Sequence, residues 1–352
     1  MADEPIKHHY IPQFILRNFL DDDGLFYYWD NENKYLSKRN TKSVFMNRSM
    51  YRSQEINADN PVEVENNLSK FEQEMAPIFK RLCSPDEVVL TRKELEMSRI
   101  FLSLLSFRSD LRMKQYKDKR FNQSTEELLN EFKGEQDFEL FWKKEINVLA
   151  QCRTFEEVMN VEGVDPIIKL DFSNDLKGYY MTLVEARGQE FIISDVYPTL
   201  EIYPVAPTIN IHLHAIYPIS PTRAILLNNI FFKKALVDKQ DPILRPMIEY
   251  SRMKGSMLKE PKNHYPMGPS VHTPEDKYFY RPVKIYENDV VYINMLFLNE
   301  TRMGFAFRNI DRIKASISRY NSTYREYNKN NFDHLEKKIG GENNDWYSIL
   351  FW

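Results

Sequence analysis

Ile209-Asn210-Ile211-His212-Leu213-His214-Ala215-Ile216-Tyr217-Pro218-Ile219, then Ser220-Pro221, then Thr222-Arg223-Ala224-Ile225-Leu226-Leu227, decides the class of this chain. The first run alternates and is rich in β-branched and aromatic residues, which suits a pleated, half-buried strand. Ser220-Pro221 supplies a turn, and the second run reads as another strand. Just upstream, residues 190–194 followed by Asp195 read as a buried strand ending in polar groups. Residues from about 62 to 186 read as mostly helical instead. Strands gathered in one region and helices in others make an α+β chain.

Working outward, Val64, Leu68, Phe71, Met75, Ile78, Phe79 and Leu82 fall on one stripe of a helix over residues 62–82. Pro77 is expected to kink it near its end. A second long helix is expected from Thr91, which has capping-box spacing to Glu94, to about Arg120. Ser124 with Glu127, and Thr154 with Glu157, repeat that spacing and open shorter helices. Nearer the start, residues 21–24 read as a turn, 25–29 and 35–36 as a hairpin, and 44–51 as another strand. Residues 255–282 read as a long loop, followed by helices over 287–306 and 309–327. The expected organisation is one α+β domain over 1–330: a mostly helical body, a small N-terminal β unit and a central antiparallel strand group. The remaining tail, 331–352, ends in Trp346-Tyr347-Ser348-Ile349-Leu350-Phe351-Trp352, apolar enough to dock on the body or on a partner.

Composition narrows the function classes. Gly is scarce, at 10, and neither GxGxxG nor the phosphate-loop pattern ending in Gly-Lys-Ser/Thr occurs, which argues against a Gly-rich dinucleotide fold. The formal net charge is -3, so no global basic field draws in nucleic acid. Cys83 and Cys152 are too few for a zinc motif or a disulfide framework, which fits a reducing cytosol. The acidic start is not a signal peptide, and no apolar run of about 18 residues is long enough for a membrane span.

The densest chemistry lies at the start, in His8-His9-Tyr10-Ile11-Pro12-Gln13-Phe14-Ile15-Leu16-Arg17-Asn18-Phe19. Pro12 suits the first position of a short helix. Gln13 and Arg17 then share a face, one turn apart. In an extended segment His8 and His9 point to opposite sides, so at most one faces a given cleft, as general acid or base, while the other braces the fold; the alternative is a pair of structural histidines that anchors the first helix. A His/Gln/Arg group holds a phosphate or a polarised carbonyl; it serves equally as a structural lock. Glu65 and Glu72 lie two turns apart on one helical face, where they ligate a metal, position a histidine or pair with Arg17 or Arg108. Asp195 ends a buried strand, Ser194 lacks a nucleophile-elbow pattern, and Asn294 lies on an apolar helix. His212 and His214 share a strand face without an evident third zinc ligand. Lys114-Gln115-Tyr116-Lys117-Asp118-Lys119-Arg120 reads as a nucleic-acid contact or as a solvated helix end.

The chain resembles the family called domain of unknown function 4238, whose members open with a His-His-Tyr-Val/Ile-Pro-Gln-Phe-x-Leu-Arg-x-Phe segment matched by His8 to Phe19. Glu65 and Glu72 followed by Ala76-Pro77-Ile78, Phe101 to Arg108 in a helix with an arginine near its middle, Phe191-Ile192-Ile193-Ser194-Asp195, Pro218-Ile219-Ser220-Pro221 and Asn294 correspond to its other landmarks. The chain departs from it at Val196-Tyr197-Pro198, where the family has Asn-Pro, and at Leu105, where a glutamine is common. The family carries no established activity. Some members are bacterial antiviral defence genes, which implies a defence role.

The resulting expectation is a cytoplasmic anti-phage effector that cuts phosphodiester bonds, in RNA before DNA. Its expected catalytic residues are His8, His9, Glu72 and Asp195, and its substrate-binding residues Gln13, Arg17, Arg108 and Asn294. No cofactor is identified, and a divalent metal such as Mg is the candidate. Nucleic acid, a phage component as trigger and a second copy of the chain are the expected partners, with no membrane. The alternatives are a non-catalytic protein that senses a phage component, and a hydrolase of a nucleotide or other small phosphate.

Overall fold

The computed structural model describes residues 7–121, 137–162, 164, 169, 179–206, 209–229, 257–258, 276–324 and 330–340. Its contacts divide the chain into two compact units. Unit one takes Met1–Pro12, Phe45–Ile78 and Lys93–Lys177; unit two takes Gln13–Val44, Phe79–Arg92 and Gly178–Trp352.

In unit one, β1 (Lys7–His9) pairs antiparallel with β4 (Met46–Arg48), with His8 opposite Asn47. Residues 44–51 thus contribute a shorter strand than their composition suggests. The next helix, α2 (Glu63–Leu82), buries Val64, Leu68, Phe71 and Met75, as its stripe requires. Pro77 lies inside α2, which continues to Leu82.

The long helix expected from Thr91 to Arg120 is two helices, α3 (Arg92–Phe107) and α4 (Asp110–Lys117). The break has a local cause. Ser109 is extended (φ -68, ψ 155) and its side chain accepts a hydrogen bond from the Arg112 N–H, which starts a new helix. Two further helices follow, α5 (Phe138–Leu149), capped by Asp137, and α6 (Phe155–Asn160), opened by the Thr154–Glu157 capping box. The capping box expected at Ser124 lies outside the described residues.

Unit two opens with α1 (Gln13–Leu16), which tightens into a 3-10 turn over Arg17–Phe19. The expected hairpin is β2 (Phe26–Asp30) with β3 (Tyr35–Arg39). It is extended by β14 (Gly304–Phe307) and β7 (Ile193–Ser194) into a four-stranded sheet ordered β3-β2-β14-β7. The central strand group is a five-stranded sheet. Its order is β13 (Val283–Ile285), β6 (Tyr179–Ala186), β10 (Arg223–Asn229), β9 (Ile209–Ser220), β8 (Thr199–Ala206), antiparallel except at β13–β6. A third sheet joins β11 (Met257–Leu258), β12 (Lys277–Tyr280) and β5 (Val88–Thr91). Helices α7 (Glu287–Glu300), α8 (Lys314–Tyr324) and α9 (Asp333–Gly340) complete the unit.

Two expectations change here. Residues 255–282, expected as a loop, hold β11 and β12; the mostly helical stretch 62–186 also carries β5 and β6, and residues 199–206 form β8. The helix expected over 287–306 stops at Glu300, and residues 304–307 form β14 instead. All four residues of β14 are buried, so alternation gives no sign of a strand. Gly304 makes the pairing sterically feasible: a β carbon there would lie 2.1 Å from the Trp29 carbonyl oxygen. The apolar tail at 346–352 lies outside the described residues. Among the described residues no helix is long and apolar enough to cross a membrane.

Candidate functional site

Strand alternation on β1 leaves Lys7 exposed, buries His8 completely and leaves His9 partly exposed. The His8 ring stacks on Tyr51, with centroids 5.6 Å apart and planes 4° from parallel. Its Nδ1 accepts a 2.9 Å hydrogen bond from the Tyr51 backbone N–H. A neutral imidazole bonded this way carries its proton on Nε2. Tyr51 also stacks on Trp142 at 5.8 Å, and its hydroxyl donates to the Arg108 carbonyl at 3.0 Å.

The α3–α4 break positions Arg108. Its side chain is wholly buried. Nε donates to the Tyr10 carbonyl at 3.3 Å, and Nη2 meets the Glu72 carboxylate at 2.6 Å. Nη1 is buried without a hydrogen-bond acceptor among the described residues. A buried guanidinium needs a compensating charge. Burial alone would lower its proton affinity, but Glu72 and, less strongly, Tyr51 and Glu65 hold it above the usual value.

Glu65 lies two turns before Glu72 on the same face of α2, and both are partly exposed. Burial pushes the Glu65 carboxyl up to about 7; the adjacent Glu72 adds to the shift and Arg108 opposes it. Glu65 therefore titrates near neutrality, as acid–base groups do. Burial also raises the Tyr51 hydroxyl, with Arg108 opposing and Glu65, Glu72 and Asp110 reinforcing. Asp110, at the start of α4, accepts from Asn47 at 2.8 Å and pairs with Lys114 at 2.7 Å.

Three residues expected at the site thus meet in unit one: His8 and Arg108 are joined through Tyr51, and Arg108 holds Glu72. Arg108 has no exposed surface, so it acts on Glu72 and not on a substrate. Tyr51, Asn47 and Asp110 have no marker in the sequence. Glu65 is marked by its two-turn spacing from Glu72 and by the family resemblance.

The opening segment divides between Pro12 and Gln13, so Gln13 and Arg17 belong to unit two. Gln13 Oε1 accepts from Arg17 Nη2 and from the Thr41 hydroxyl, each at 3.4 Å, so the pairing on one helical face is real but long. Also in unit two, Asp195 is buried and accepts from the Thr301 hydroxyl (2.7 Å), Ser194 (3.1 Å), Arg302 N–H (3.2 Å) and Met303 N–H (2.9 Å). It fastens the turn into β14. Asn294 accepts from Ile192 N–H and donates to the Glu190 carbonyl and the Ser316 hydroxyl, fastening the segment before β7.

Among the described residues no group of three or more His, Cys, Asp or Glu side chains is placed to hold a metal ion. The side chains of His212 and His214 lie outside the description. The family described as "Protein of unknown function (DUF4238)" matches residues 7–311. No curated protein and no solved structure matches the chain.

Proposed function

We propose that this chain, which belongs to the DUF4238 family, is an RNA-cleaving enzyme of anti-phage defence working by general acid–base catalysis at Glu65 and Glu72. One observation carries the reading. A partly exposed carboxyl is held near pH 7 beside a second carboxylate that a buried arginine fixes in place. Pairs of carboxyl groups in unequal environments divide the acid and base roles between them.

The chemistry favours RNA over DNA. Glu72 accepts the proton of the ribose 2′-hydroxyl as its oxygen attacks the adjacent phosphorus. Glu65 gives its proton to the departing 5′-oxygen. The products are a 2′,3′-cyclic phosphate and a free 5′-hydroxyl, and both carboxyl groups return to their starting states when protons exchange with water. DNA lacks that internal nucleophile. Arg108 is a positioning residue that acts through Glu72. The defence role rests on the family resemblance, and a cytoplasmic setting on the two cysteines, which fit a reducing compartment.

The test is purified full-length protein with total RNA and with DNA, with and without divalent metals. RNA fragments ending in cyclic phosphate are expected, with a loss of about 100-fold or more in Glu65→Gln. Absence of RNA cleavage by the wild type, or equal cleavage by a folded Glu65→Gln protein, overturns the proposal.

A second reading is a non-catalytic sensor of a phage component. It is favoured by His8, which is buried, stacked and bonded to a backbone N–H as a structural clasp would be. RNA binding or phage-component binding without turnover distinguishes it.

A further inference from the structure

We propose that α4 and the turn that closes it form the strip along which the RNA backbone lies; the choice of RNA as the polyanion rests on the reading above. Residues 110–120 carry five cations, Arg112, Lys114, Lys117, Lys119 and Arg120, against Asp110 and Asp118. This is a local balance of +3 in a chain whose net charge is -3.

Helix-end electrostatics explain only part of this. A helix dipole favours cations in the last turn and disfavours them in the first. Arg112 stands in the first turn and is exposed, its guanidinium turned along the helix to Gln115 at 2.8 Å. Asp110 holds Lys114 at 2.7 Å, and the other four cations run from the first turn of α4, a helix about 12 Å long, to the turn that closes it. Lys117 and Arg120 are 62% and 78% exposed, and their partners are 3.8 Å (Glu139) and 3.2 Å (Asp118) away. Such solvent-exposed pairs are weak and exchange readily for phosphate.

The end of the strip is rigid. Arg120 N–H bonds to the Gln115 carbonyl and Lys119 N–H to the Tyr116 carbonyl, the paired bonds of a Schellman closure. That closure sets Lys119 at φ 51, a left-handed conformation where glycine is the usual residue. The closure fixes where the Lys119 side chain leaves the backbone, at some cost, and its ammonium lies over the Phe138 ring, 5.0 Å from the centroid. Phe121 follows, partly exposed, with its ring 5.0 Å from Tyr116, and offers an apolar face for a base to stack on.

The strip begins beside the carboxyl pair. Arg108, which holds Glu72, is followed by the Ser109 cap and then by α4 itself. An anionic membrane is the less suitable partner. Of the residues on α4 only Leu111, 43% exposed, is a large exposed hydrophobic group, and an interfacial helix needs a whole apolar face.

The experiment uses a fluorescein-labelled 12-nucleotide RNA and the full chain carrying Glu65→Gln, so that the RNA stays intact. Anisotropy is measured from 50 to 200 mM NaCl. The log–log salt slope should be about -3 for four phosphate contacts on a single strand. It should approach zero, with affinity lost more than tenfold, in the further variant Arg112→Ser/Lys117→Ser/Lys119→Gly/Arg120→Ser. Lys119→Gly alone should weaken binding while leaving the melting temperature nearly unchanged, because relief of the left-handed strain offsets loss of the Phe138 contact; a purely structural lysine would not separate the two. Unchanged RNA binding in the quadruple variant, or binding only to anionic phosphatidylserine vesicles, overturns the strip. RNA cleavage that survives with unchanged KM in the quadruple variant of the active protein rejects the strip and keeps the enzyme. Salt-dependent binding that the quadruple variant loses, without any cleavage by the wild type, keeps the strip and rejects the enzyme.

Discussion

The carboxylate of Glu72 stands 2.6 Å from Nη2 of Arg108, an arginine with no exposed surface at the break between α3 and α4. The pair ties α2 to that break and sets the charge beside Glu65. Removing one partner leaves the other charge buried. Glu72→Gln is expected to cost about 3 kcal/mol, the low end for a broken buried pair because the Glu72 side chain is 24% exposed. Urea unfolding measures it. The double variant Glu72→Gln/Arg108→Met should recover part of the loss, since it also removes the stranded charge.

Glu65 gives a stability signature of opposite sense to an ordinary ion-paired carboxylate. Its folded value of about 7 lies above the usual 4.5, so across that window the folded state keeps a proton that the unfolded state releases. Stability therefore falls as pH rises from 4.5 to 7, by at most about 3 kcal/mol. Glu72 and Arg108 are the charged groups that set this window. Glu65→Gln should flatten that decline and be the more stable protein at pH 8. Thermal melts at pH 5 and pH 8 read the difference; parallel curves for the two proteins would refute it.

His8→Ala removes both the acceptor for the Tyr51 N–H and the ring stacked on Tyr51. The expected loss is about 2–4 kcal/mol, from a stranded buried donor and lost aromatic packing. Melting temperature should drop by several degrees. At temperatures where the variant is folded, RNA cleavage should persist.

Gly304→Ala sets a β carbon against the Trp29 carbonyl oxygen and the Tyr28 hydroxyl, at 2.1 and 2.6 Å. The backbone oxygen cannot move without breaking the β2–β14 ladder. A loss of more than about 3 kcal/mol is expected, visible as a large shift in the urea midpoint.

Much of the fold is legible in the sequence where periodicity is strong. The stripe of α2, the β9–β10 pair, the β2–β3 hairpin and the Thr154 cap all read directly. Elements buried on every side read poorly. β14 is apolar throughout and follows a helix, so it merges into that helix until Gly304 is seen against Trp29. Ser109-Asp110, a cap followed by an acidic first turn, signals the α3–α4 break, but the apolar pattern that continues to Leu111 hides it. At the site, the two-turn spacing of Glu65 and Glu72 and the arginine at 108 are visible in sequence. The near-neutral acidity of Glu65 is not, because it depends on burial and on how close Glu72 and Arg108 come. Nor does the sequence show that His8 spends its Nδ1 on the Tyr51 backbone.

The most direct test of the acid role is the pH dependence of kcat/KM for RNA cleavage between pH 5 and 9, with Glu65→Gln measured alongside. If Glu65 supplies the proton, the wild-type rate falls above an apparent pKa near 7, and the variant is slow with that descending limb absent. A wild-type profile that stays flat through pH 7, or a variant that keeps the same limb, would contradict the assignment.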